Sequence, residues 1–157
     1  MPFSFSHDAR KFFNRIGVKA TPANDGASKT GKLDTMFDAY WLCAQIGIQK
    51  DSFQPEEGAP MIVNKFVGAS AKYMHKIRGV AFYQYCKRKG LISAEQGVLD
   101  EMSMFFSDES KELNTAGYSM LNGYAHGGFQ LIYERLGEHC VELADFLLDY
   151  QEMLHGD

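Results

Sequence analysis

His126 stands in "YAHGGF", residues 124–129. A His-Gly-Gly run can serve acyl-transfer chemistry as an oxyanion loop, its backbone N–H groups aimed at a developing negative charge. That chemistry also needs a nucleophile on a G-x-S-x-G elbow, and the chain contains none. "GASKTGKL", residues 26–33, fits G-x-x-x-x-G-K, the pattern of a loop that cradles phosphates at a helix N-terminus. Leu33 stands where Ser or Thr should hold Mg²⁺, and the preceding "VKATPAND" is polar and holds Pro22, unlike a buried parallel strand. The stretch reads as a Gly/Lys loop, with no nucleotide cofactor expected.

Metal chemistry finds no better footing. His7, His75, His126, His139 and His155 include no i, i+4 pair and no H-E-x-x-H. Cys43, Cys86 and Cys140 are far apart and odd in number, so they read as reduced core residues of a cytoplasmic protein. No metal, no cofactor and no catalytic residue is expected. An acid–base enzyme around His126 and Glu134 is the reading that would overturn this.

The remaining chemistry is charge. Between Lys65 and Lys89 there are seven Lys or Arg and no acid; from Glu95 to Asp157 there are 13 acids against Lys111 and Arg135. On a helix, Lys72, Lys76, Tyr83 and Lys87 fall along one side, with Arg88 and Lys89 at its end. Such lysines could neutralise phosphates while the tyrosine stacks on a base. They could equally meet an acidic protein surface, pack against the acidic half of the chain, or complement the helix dipole. A net charge of -4 and a pI near 5.7 fall far from the basic balance of a dedicated nucleic-acid domain.

Periodicity supplies the elements that must position these groups. Ser6 can cap "HDARKFFNRIG", which Gly17 ends, and 18–31 is a flexible loop rich in small residues. In "LDTMFDAYWLCAQIGIQK", Leu33, Met36, Phe37, Tyr40, Trp41, Ala44 and Ile48 form an apolar stripe, with Asp34 as cap and Gly47 weakening or ending it. "MIVN" is too short to type. A third helix spans about 66–89 with Met74, Ile77, Ala81 and Tyr85 inward, stopped by Gly90. Ser93 and Gln96 make a capping-box pattern for a helix to about Phe106. "SDES" opens a long glycine-bearing helix to about Leu136, stopped by Gly137. "EHCVELADFLLDYQEML" closes the chain, with Val141, Leu143, Ala144, Phe146, Leu147, Tyr150 and Leu154 largely apolar.

No run alternates like a strand. The expected fold is all-α, five to seven helices in a single-domain bundle over 1–157. Its 157 residues suffice for one core, and no run approaches the roughly 20 apolar residues of a membrane span.

Gly123, Gly127 and Gly128 interrupt the long helix at roughly 1 kcal/mol each against Ala. Gly123 and Gly127 share a face with Ala116 and Met120, so they should admit another backbone closely: a neighbouring helix of this domain, or a partner subunit.

Two segments carry a resemblance. "FDAYWLCAQIGIQKD" (37–51) resembles a segment of small helical proteins associated with bacterial DNA phosphorothioation (Dnd-type) and related anti-phage loci, where an aromatic-rich helix ends in a hydrophobic–Gly–hydrophobic step before basic residues. "LNGYAHGGFQLIYERL" (121–136) is similar to their Tyr-Ala-x-Gly-Gly run, with Gly123 in place of an acidic residue. The resemblance implies an all-α accessory subunit that stabilises or regulates a larger motor or nuclease protein. It supplies no catalytic residue. The expectation is therefore a non-catalytic subunit acting by protein–protein contacts, with a homo-oligomer also open. A small nucleic-acid-binding module using 65–89 is the alternative.

Overall fold

The computed structural model describes residues 3–17, 33, 35–55, 57–63, 71, 73–91, 96–106, 113–137, 139 and 142–156. Their order is β1 (Phe3–Ser4), α1 (His7–Arg15), α2 (Met36–Gln49), β2 (Met61–Val63), α3 (Met74–Arg88), α4 (Gln96–Phe105), α5 (Thr115–Leu136) and α6 (Leu143–His155). The fold is all-α, with six helices among the described residues and one very small sheet. The expected loop at 18–31, the Ser93 cap, Lys72, Cys140 and Val141 lie outside them.

Local signals explain most helix ends. Ser6 Oγ accepts from the Ala9 N–H at 3.0 Å and starts α1. α2 begins one residue later than an Asp34 cap would have it: Thr35 and Asp38 form a reciprocal capping box, Asp38 N donating to Thr35 Oγ1 and Thr35 N to Asp38 Oδ2. α5 does not start at "SDES". Asn114 is its cap, in extended backbone, with Oδ1 accepting from Gly117 N at 3.0 Å. Gly90 and Gly137 take positive φ where α3 and α5 end.

The strands were not legible. Phe3 and Phe5 alternate with serine in too short a run to read as a strand. Yet β1 pairs antiparallel with β2, Phe3 opposite Val63, and Phe5 N donates to Pro60 O at 3.1 Å. This anchors two fully buried rings. Phe3 meets Phe37, Tyr40 and Tyr118 edge-on at 5.1, 5.6 and 4.9 Å, and Phe5 packs on Phe13, Tyr40 and Phe129. Asn122 holds the same junction, its Oδ1 accepting from Ser4 N and Tyr40 Oη at 3.1 and 2.9 Å.

Glycine sets the distance between α2 and α5. Gly47 does not end α2; it lies inside it, against α5. A Cβ on Gly128 would sit 2.7 Å from Gly47 N and 2.8 Å from Cys43 C, and one on Gly47 would strike the Tyr124 carbonyl. A neighbouring helix or a partner subunit was the expected neighbour at Gly123 and Gly127; in the fold it is instead the chain that leaves α2. A Cβ on Gly127 would meet the Ser52 backbone, and one on Gly123 the Phe53 ring. Asp51, at φ 51°, turns this strap back, Ser52 N donates to Gly47 O, and Gln54 N donates to Gly123 O at 3.0 Å.

These contacts predict graded costs. Gly128→Ala and Gly127→Ala should lower stability by roughly 1–3 kcal/mol or more, because the obstruction is backbone. Gly123→Ala should cost less, since the Phe53 ring can shift. Gly79→Ala, in α3 with open space around it, should stabilise by about 0.5–1 kcal/mol. Urea unfolding midpoints of the four variants check the order and the change of sign.

Candidate functional site

α3 presents different residues around its circumference. Ile77, Ala81 and Gln84 are buried. A second side turns to α4: Arg78 lies 4.6 Å above the Phe106 ring, and Phe82 and Tyr85 pack on Phe105 at 5.5 and 4.8 Å. The third side faces outward as Lys76, Val80, Tyr83 and Lys87, at the i, i+4, i+7, i+11 spacing of one helical stripe. Tyr83 is 65% exposed and Val80 36%.

The cations of 65–89 therefore divide. Lys89 Nζ pairs with Glu101 at 2.9 Å, and Tyr85 Oη donates to the other carboxylate oxygen at 2.7 Å. The Lys89 bond first, then the Tyr85 bond, holds the Glu101 carboxyl below its ordinary value. The Lys89 ammonium is raised in turn by Tyr85 and Glu101. Arg88 stacks its guanidinium 4.1 Å above Phe53 and 5.9 Å from the centre of Tyr124, whose hydroxyl donates to Asp51. Arg88 and Lys89 thus each make an architectural contact while staying exposed, and half-buried Arg78 makes one too. Lys76 and Lys87 project with Tyr83, while Lys72 lies outside the described residues.

Beside the stripe runs a groove of about 1070 Å³ between α2, α3 and the end of α6. Trp41 and Ile48 of α2, His75, Lys76 and Val80 of α3, and Leu154 are among its walls. Trp41, the single tryptophan, is only half-buried there. The groove was not visible in the sequence, where Trp41 and Ile48 belong to an apolar stripe and Leu154 to a largely apolar closing segment. Their positions at the edges of otherwise apolar helix faces are the only hint.

The other candidates fall elsewhere. His126 is half-buried on α5, while Glu134 is exposed at a separate hollow with Arg135 and Glu152. They form no common site. Among the described residues no group of His, Cys, Asp and Glu is arranged to hold a metal. Cys43 is wholly buried, and burial pushes its thiol well up; burial raises the Cys86 thiol too, Glu101 adding and Lys89 opposing. Both are poor nucleophiles. No described helix is long and apolar enough to cross a membrane.

No protein-family model matches this chain, and no curated protein or solved structure shows significant similarity to it.

The α3–α4 clasp has a definite pH dependence. With the Glu101 pKa lowered on folding, its contribution is complete above the ordinary carboxylate range and is lost as pH falls through the lowered value. With the Lys89 pKa raised, the same clasp weakens again as pH rises through that value. An NMR titration should find the Glu101 carboxyl below an ordinary glutamate, and Lys89→Met should move it back up.

Proposed function

We propose that this protein is a non-catalytic accessory subunit that works through protein–protein contacts, with the outer face of α3 and the adjoining groove as its docking surface. The observation that carries this reading is the stripe Lys76–Val80–Tyr83–Lys87: an exposed aromatic and an exposed aliphatic side chain between two projecting cations, beside a groove walled in part by Trp41, Ile48 and Leu154. Exposed aromatic anchors with a charged rim are the usual make-up of a protein contact. The likeness of 37–51 and 121–136 to Dnd-type helical proteins supports a setting in a cytoplasmic bacterial anti-phage or DNA-processing assembly. There the chain would stabilise or regulate a larger motor or nuclease subunit.

Nucleic-acid binding through the same helix is the second reading, favoured by Tyr83 lying between Lys76 and Lys87. Two projecting lysines neutralise about two phosphates, a weak footprint beside the 6–10 contacts of a strong binder. The engagement of Arg88 by Phe53 and of Lys89 by Glu101 argues for the protein contact.

A tagged pull-down from the native host, read by native mass spectrometry, should yield a larger protein at fixed stoichiometry. Tyr83→Ala should weaken its capture by about tenfold or more. Recovery of the chain alone, with salt-sensitive binding to DNA or RNA that disappears in Lys76→Glu/Lys87→Glu, would replace this reading with the second.

A further inference from the structure

The two most exposed large apolar side chains among the described residues are Leu148, 70% exposed, and Tyr83, 65%. They sit on opposite kinds of surface. Tyr83 belongs to the cationic stripe of α3. Leu148 belongs to α6, where the exposed Asp145 and Glu152, three residues before it and four after, share its side of the helix, while Asp149 is half-buried on the flank. The buried side of α6 is Phe146, Tyr150 and Met153, so the acidic side points away from the core.

We propose that, while no larger partner occupies it, the outer face of α3 receives α6 of a second copy of this chain, a step that rests on reading α3 as a protein-docking face. Charge complementarity selects this occupant. Lys76 and Lys87 are separated by about 16 Å of helix and Asp145 and Glu152 by about 10 Å, so the carboxylates fall within the span of the two ammoniums. Leu148 then meets Val80 and Tyr83 between the charged pairs. Pairing α3 with α3, or α6 with α6, would oppose like charges, so the contact joins unlike faces of the two copies. A contact between unlike faces builds rings or chains unless a twofold axis closes two of them at once. Glu152 also meets Arg135 at 2.6 Å, but that pair is exposed and weak, so Asp145 and Glu152 remain the acidic partners of the lysines.

Light scattering coupled to gel filtration, over a range of protein concentration at low and high salt, tests the inference. The intact chain should exceed its 17.7 kDa monomer mass at low salt and move toward it at high salt, because the rim pairs are screened. Lys76→Glu/Lys87→Glu and Asp145→Lys/Glu152→Lys should each weaken association by about tenfold or more. Circular dichroism should be unchanged, since these four side chains are exposed. Mixing the two charge-reversed proteins should restore a complex, because the Glu-bearing α3 of one then faces the Lys-bearing α6 of the other. A strictly monomeric chain, association unaffected by either reversal, or failure of the mixture would each overturn the second-copy contact. If a monomeric chain still captures a host protein through Tyr83, the docking face stands and only its occupant is wrong. If both are absent, the docking reading falls with it.

Discussion

The meeting of α2 and α5 at Gly47 and Gly128 is the constraint on which the remaining packing depends. Two backbones approach there until there is no room for a methyl group, and the loss in helix propensity is offset by contact along both helices. Because α2 is drawn so close, the chain that follows it must pass directly over α5. Gly127 and Gly123 provide its track. Phe53 then fills the notch above Gly123, and Arg88 lies over Phe53. One steric fact near the middle of two helices therefore reaches the C-terminal end of α3 through a chain of direct contacts.

The division of cations on α3 follows from the same packing. A basic run alone would make a uniform electrostatic surface. Instead, rings and one carboxylate absorb Arg78, Arg88 and Lys89, tying α3 to α4 and to the strap. Among the described residues, Lys76 and Lys87 make no such contact and lie on a narrow stripe in which apolar area matters as much as charge. Few free cations spaced around an aromatic side chain suit a surface that recognises shape and sign together.

The helices were legible because periodicity and capping report local physics. Ser6, Gly90 and Gly137 act where their residue types say they should. Other features depended on distant partners. Thr35 displaced Asp34 because Asp38 stands three residues beyond Thr35 and completes the box. Gly47 reads as a stop in isolation and becomes an asset only when Gly128 lies opposite. β1 escaped notice since its two residues acquire their pairing from Met61–Val63. At the candidate site, the positions of Lys76, Tyr83 and Lys87 on one side could be counted from helical spacing. That Arg88 and Lys89 would be occupied could not, since Phe53 lies 35 residues earlier and Glu101 beyond the helix end.

The burial of Phe3 and Phe5 has a consequence for how the molecule is made. Their site is completed by α5: Ser4 bonds to Asn122, 118 positions later, and Phe3 and Phe5 pack on Tyr118 and Phe129. A ribosome adding about 5–20 residues per second takes roughly 6–24 s to cover that interval. Through it Phe3 and Phe5 have no finished core to enter. The nascent chain thus carries an exposed, phenylalanine-rich segment, the kind that chaperones shield, until α5 has left the exit tunnel.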